Sequence, residues 1–300
     1  MNKKHKKLSQ CTNCNFKFES ADNYCPECGQ KNRELKIPLK HLFEEMLEST
    51  LHFDTKAIKT LKQHLFAPGT LSKEYNEGRR AKFISPVRLY VVISFIFFLI
   101  LNFTAPKKIG SAEENRAANN NVGISINIYG ISTNDLAGIS DTQVDSLLTA
   151  KGIEKTKLKK FLISQLHKIA NEGSGEFIHS VIKNISYMMF FLMPGFAFFV
   201  FILFRKQTKY YIESLILSIH FHSFIFLLLS IFFITTIVKT ILFVILTPSM
   251  VTAYLFLMLY NYYGQKTITI LWKTSLIEVF HLLLFILMFI FTIMLSVVIV

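Results

Sequence analysis

Tyr211–Val238 reads YIESLILSIHFHSFIFLLLSIFFITTIV, and after Glu213 it holds no Asp, Glu, Lys or Arg. About 20 apolar residues carry a helix across the hydrocarbon core of a bilayer, so this stretch is predicted to be a membrane span. The pattern extends downstream. From Ser214 to Val300 only Lys239, Lys266, Lys273 and Glu278 are charged, four positions in 87. A soluble core has no room for so continuous an apolar run. Across all 300 residues Phe contributes 30 and charged residues 18%, against about 25% in soluble chains. Disordered, collagen-like and disulfide-scaffold classes are excluded. The expected fold class is an all-α integral membrane protein.

The same length criterion places five spans: 87–103, 184–204, 211–238, 241–260 and 275–300. Pro194-Gly195 is expected to kink the second, and Thr247-Pro248 either lies inside the fourth or opens it as N-cap and first residue. Lys and Arg near span ends resist translocation, so the basic loops mark the cytoplasm. Arg205, Lys206 and Lys209 follow the second span, and Lys266 and Lys273 follow the fourth. Only Lys239 lies between the third and fourth. This sets the N-terminus in the cytoplasm, and the 104–180 loop and C-terminus outside, in a multi-pass protein of the inner (plasma) membrane. Residues 1–86 carry 16 Lys/Arg against 10 Asp/Glu, whereas 104–180 carries nine against eight. Location therefore accounts for most of the net +13 charge, and nucleic acid is set aside as a partner. The basic tail 1–10 precedes no apolar h-region, so no signal peptide is expected there.

All four cysteines fall in CTNC and CPEC: Cys11, Cys14, Cys25 and Cys28. Two residues between thiols let one tight turn present both sulfurs to a single ion, and two such turns complete a tetrahedron. Asn15 and Gly29 follow the pairs, where a knuckle needs a residue tolerant of left-handed geometry. Residues 11–30 are too few to fold on a core alone, so metal would supply much of their folding energy. A redox dithiol lacks its βαβ context, and disulfides oppose a cytoplasmic location. Four thiolates also suit an iron–sulfur centre, but one zinc ion is the expectation. With no open position that zinc is structural.

Residues 36–85 read as short amphipathic helices on the cytoplasmic side. Leu39, Leu42, Phe43, Met46 and Leu47 form one apolar face. A helix over about Thr55–Phe66 groups Ile58, Leu61, Leu65 and Phe66 and stops at Pro68-Gly69. Thr70 is then expected to cap a third helix ending near Gly78. Arg79, Arg80 and Lys82, with Arg88 at the start of the first span, suit an anionic membrane surface. Packing of these helices beneath the bundle is the competing reading, and the two are compatible. In the 104–180 loop, 107–123 is expected as a mobile linker, ISINIYG as one strand, and two helices from Asp141. The second of these, about Lys155–Ala170, carries a stripe of Leu158, Phe161, Leu162, Leu166 and Ile169 for the membrane surface or the spans.

Ionisable residues inside spans are costly and so candidate functional groups. They are Glu213, His220, His222, Glu278 and His281. His220 and His222 diverge by about 200° on a helix and do not share one ion. Glu213 and His220 fall on one stripe, as do Glu278 and His281. If Glu213, His220, Glu278 and His281 meet, they form a cation or proton site. Otherwise the acids are solvated near helix ends and the histidines bond to backbone or hydroxyls. No GxSxG, HExxH, Walker or GxGxxG pattern occurs, so no enzymatic activity is expected.

The chain resembles a family of uncharacterised bacterial membrane proteins with an N-terminal zinc ribbon, classed as a domain of unknown function. Cys11, Cys14 and YCPECGQ (Tyr24–Gln30) carry the resemblance, with the Lys59–Tyr90 run, Tyr211–Phe224 and Tyr260–Ser275. It covers most of the chain outside about 105–175, with Asn15 where such ribbons usually carry Gly. The resemblance implies the topology and the zinc site but no reaction. The leading expectation is a non-enzymatic scaffold or regulatory protein held in the lipid bilayer, its ribbon meeting a cytoplasmic protein partner. A small transporter or permease using the His/Glu set comes second, and a membrane metalloenzyme third.

Overall fold

A computed structural model of the chain describes residues 7–19, 22–32, 55–117, 127–136, 138–152, 156–172, 174–234 and 240–299. The expected Leu39–Leu47 face, Lys239 and most of the basic tail lie outside them. Helices dominate: α1 (Thr55–Phe66), α2 (Thr70–Asn76), α3 (Pro86–Ala117), α4 (Thr133–Leu136), α5 (Asp141–Ala150) and α6 (Lys157–Glu172). The long apolar helices α7 (Ser174–Leu203), α8 (Tyr211–Ile234), α9 (Thr240–Tyr263) and α10 (Thr267–Ile299) follow. Among the described residues, four helices are long and apolar enough to cross a membrane, over Pro86–Phe103, Ser180–Leu203, Tyr211–Phe233 and Thr267–Val297. The expected fourth span falls within α9, which is not one of these four. Pro248 lies inside that 24-residue helix, so Thr247 is not its N-cap.

The chain divides into two compact units, Met1–Phe97 with Met193–Leu282 and Phe98–Leu192 with Leu283–Val300. In the first, α8 is the central element. Some 72% of its span window is buried, against 11% for α10, whose outward side chains are the lipid-facing kind. Phe196 of α7, Phe221 of α8, Leu255 and Met258 of α9 and Ile277 of α10 form its core. Stacked rings reinforce it, Phe224 on Tyr254 at 3.6 Å and Phe204 on Tyr263 at 3.7 Å. Around Pro194, inside α7, hydroxyls of α8 bind the backbone: Ser218 donates to the Met193 carbonyl at 2.8 Å and Tyr211 to that of Pro194 at 3.0 Å.

Helices α1 and α2 form a hairpin packed on α8, and α2 also contacts α9. Its turn depends on Gly69, whose φ of +83° suits glycine and where a Cβ would overlap the Met258 backbone carbonyl. Gly69, not Thr70, is the N-cap residue of α2; the Thr70 hydroxyl instead donates to the Ala67 carbonyl at 2.6 Å. The apolar group expected on α1 is split, with Leu65 packed against the core and Leu61 exposed. Thr60 and His64 point inward, whereas Ile58 and Phe66 are 76% and 80% exposed. Lys56, Lys59 and Lys62 share the exposed side with these apolar residues.

In the second unit α3 continues as helix to Ala117, where a linker was expected. ISINIYG contributes to a hairpin rather than a lone strand: β1 (Asn127–Ile128) pairs antiparallel with β2 (Ile131–Ser132). Tyr129 and Gly130 between them have φ of +54° and +77°, as a two-residue primed turn requires. Ile131, Leu136, Val144, Leu148, Ile163 and Leu166 make a small core. Helix α6 therefore buries Ile163 and Leu166 within this unit, while Phe161 of the expected stripe is exposed. A buried Asn184 amide donates to Ser296 at 2.9 Å.

Candidate metal centre and buried histidine pairs

The two cysteine turns are built alike. Cys11 N–H donates to the Phe16 carbonyl and Asn15 N–H to that of Cys11; Cys25 to Gln30 and Gly29 to Cys25 repeat the pattern. Asn15 (φ +64°) and Gly29 (φ +71°) take the left-handed geometry each knuckle needs. Asn tolerates it better than other side-chain-bearing residues, so the missing glycine leaves the turn intact. The four sulfurs lie within 4.8 Å of one another, with Cys14–Cys25 at 3.4 Å and Cys11–Cys28 at 3.6 Å. Tetrahedral zinc with bonds of about 2.3 Å separates sulfurs by roughly 3.8 Å, so the set fits such an ion. Burial raises the Cys28 thiol, but the Gln30 and Asn13 contacts and neighbouring thiols outweigh it and draw it down to about 7. The Phe16 N–H lowers Cys14, yet burial and the three other thiols push it up to about 12. Crowded thiols resist sharing negative charge, and a bound cation reverses that.

Gln30 ties the ribbon to the turn after α2. Its Nε2 donates to the Gly78 carbonyl at 2.9 Å and to Thr12 Oγ1 at 2.8 Å. Its Oε1 accepts from the backbone N–H of Arg80 at 3.1 Å and of Ala81 at 3.2 Å. Thr12 Oγ1 also donates to Gly78, at 2.9 Å. Sequence reading quoted Gln30 without giving it a role; its place directly after the second knuckle was the only signal. Of the basic group, Arg79 pairs with Glu74 at 2.9 Å and with Glu77, and Lys82 with Glu74 at 3.5 Å. The Arg80 guanidinium lies 5.3 Å over the Tyr75 ring.

The expected His/Glu set is divided. Among the described residues the ribbon is the only group of three or more His, Cys, Asp or Glu side chains close enough to share an ion. His220 and His222 diverge around α8, as helical geometry requires. His222 pairs with His281, ring centres 5.3 Å apart, and its Nδ1 lies 2.8 Å from the Ser218 carbonyl. His220 meets His64 of α1, centres 5.9 Å apart, and Ser72 of α2 at 2.7 Å. Glu213 and Glu278 stay half-buried outside both pairs. His64 was missed because it reads as the polar face of an amphipathic helix. Burial pushes its imidazole down to about 4.

Residues 54–98 match the model of a family described as a protein of unknown function (DUF3667). That stretch holds α1, α2, the ribbon-binding turn and the first part of α3, and overlaps the Lys59–Tyr90 run. The resemblance to an uncharacterised family is borne out there. No curated protein and no solved structure matches the chain.

Proposed function

We propose that this chain is a five-span, non-enzymatic inner-membrane protein of bacterial type, with its N-terminus in the cytoplasm and one structural zinc in the ribbon. It acts as a scaffold or regulator, presenting the ribbon to a cytoplasmic protein partner. The observation that carries this reading is the ribbon's attachment. Gln30 and Thr12, one from each knuckle region, bind the backbone of the Gly78–Ala81 turn, so the ribbon is held by the membrane unit. Four thiolates leave zinc no open position, which favours support over catalysis. Helix α9, 24 residues without a charged side chain, serves as the fifth span. Exposed Ile58 and Phe66 then face acyl chains, and exposed Lys59 and Lys62 of the same helix reach the headgroups.

Reporter fusions after Gln10 and Gln207 should give cytoplasmic signals, and fusions near Asn120 and after Val300 external ones; a cytoplasmic Asn120 overturns the topology. Co-purification from native membranes tests the role. Under the scaffold reading a soluble partner is retained by His220→Ala and lost with Cys25→Ser. The buried histidine pairs favour a second reading, a small transporter or permease, in which His220→Ala abolishes function and Cys25→Ser spares it.

A further inference from the structure

We propose that His64 and His220 form a buried two-imidazole site for a soft monovalent metal ion of the copper(I) class. The inference stands apart from the scaffold reading and from the ribbon's metal. Both side chains are almost wholly buried, at 1% and 2% exposure, and neither Nε2 has a hydrogen-bond partner. A buried nitrogen left without a partner is costly, so a site that fills it gains directly. Each ring is held from its other side. His220 Nδ1 lies 2.7 Å from Ser72 Oγ, and His64 Nδ1 lies 3.3 Å from the Tyr254 hydroxyl.

The hydroxyl of Tyr254 decides the His64 tautomer. Its proton goes to the His64 carbonyl at 2.9 Å, leaving its oxygen to accept from Nδ1–H. Nε2 of His64 then carries a bare lone pair, the form that binds metal. Holding the opposite nitrogen is how proteins orient ligating histidines.

Spacing supports a shared ion. With metal–nitrogen bonds of about 2.0 Å and the ring centre about 1.1 Å behind Nε2, two imidazoles on one ion stand roughly 5.1–6.2 Å apart. The observed separation is 5.9 Å. The surroundings choose the charge. Ser72, Tyr254 and Phe224, which contact the pair, are neutral. The cost of removing an ion from water rises with the square of its charge, so two neutral ligands in an apolar interior favour a monovalent ion. Imidazole suits copper among such metals.

The test uses full-length protein in micelles with nitrogen-15-labelled histidine and silver(I) as probe. Labelling histidine alone keeps the ribbon thiols, which also take silver, out of the readout. Silver should shift the Nε2 resonances of His64 and His220 together, at one stoichiometry. Asn mimics Nδ1 but lacks Nε2, so His64→Asn should leave His220 unshifted, and His220→Asn the converse. Ser72→Ala should keep both shifts at about 10–100-fold higher silver. Resonances of His64 and His220 that stay put at saturating silver in the wild type, or that shift independently in the variants, overturn the proposal. So does a response confined to His222 and His281.

Discussion

Replacing Gly69 with alanine tests how closely the α1–α2 hairpin is seated on α9. Two penalties act at this position. A side chain at φ +83° costs about 1–2 kcal/mol from left-handed geometry alone. The new Cβ also meets the Met258 backbone, which cannot rotate away, so the turn must lift. Lifting strains the Asn261–Pro68 hydrogen bond at 2.9 Å and the Ser72–His220 contact at 2.7 Å. At about 0.5–1.5 kcal/mol each, these bring the total to roughly 2–5 kcal/mol. Local opening of α2 should then rise about 30- to 4,000-fold. Gly264 is the control, since its φ is +61° but nothing lies within 4 Å of its Cβ position. Gly264→Ala should pay only the backbone part, about 1–2 kcal/mol, and leave α2 alone. Hydrogen exchange of peptides covering 70–78 in full-length protein reads the difference. Exchange in Gly69→Ala equal to wild type, or no faster than in Gly264→Ala, would refute the close seating.

Three further outcomes are expected. Gln30→Ala removes the side-chain bonds to Thr12, Gly78, Arg80 and Ala81, so ribbon docking should weaken by about 2–4 kcal/mol; Cys28→Ser should do the same by releasing the ion, and tryptic cleavage at Arg79 and Arg80 measures both, with unchanged cleavage counting against the clamp. His64 is held neutral by burial, its pKa lowered from 6.5 to about 4; the unfolded chain binds the extra proton between those values, so stability is complete above pH 6.5 and falls by up to about 3 kcal/mol toward pH 4. Thermal unfolding across that window should be steeper for wild type than for His64→Asn, and parallel curves would exclude His64 as the source. Arg79→Glu with Arg80→Glu sets like charge beside Glu74 and Glu77; residues 78–85 should become protease-sensitive in vesicles while carbonate extraction still finds the chain inserted, and full protection would mean the pairs contribute little.

Local signals were legible and distant ones were not. The apolar run after Ser214 gave the long helices, because a bilayer constrains length and composition within one segment. The CxxC turns likewise declare themselves, since spacing alone brings their sulfurs together. His64 and His220 are 156 positions apart, and no periodicity links α1 to α8. The 200° divergence of His220 and His222 was foreseen, and it explains why the expected four-residue set could not close on one side of α8. On α1 the apolar stripe was recognised, with the membrane surface preferred to packing beneath the bundle. Which of its side chains would be buried was not legible, because composition within one segment does not say what packs against it, and Thr60 and His64 turn inward. The loop failed for a similar reason: polar composition over 107–123 reads as linker, but the helix begun in α3 runs on to Ala117.

The reach of Gln30 has a consequence for synthesis. Its backbone partners at Arg80 and Ala81 lie 50 and 51 residues further along the chain. At 5–20 residues per second, a ribosome needs roughly 3–10 s to deliver them after Gln30 has been made. The knuckles, whose own backbone hydrogen bonds (Cys11 to Phe16 and Cys25 to Gln30) are local, can close around an ion during that interval. The turn then emerges to meet a finished surface just as Pro86 and the first apolar helix leave the tunnel. On the proposed reading that the ribbon holds zinc, a chain translated without the ion would reach the same moment with its clamp unformed, and ion supply during those seconds would set which form of the protein enters the membrane.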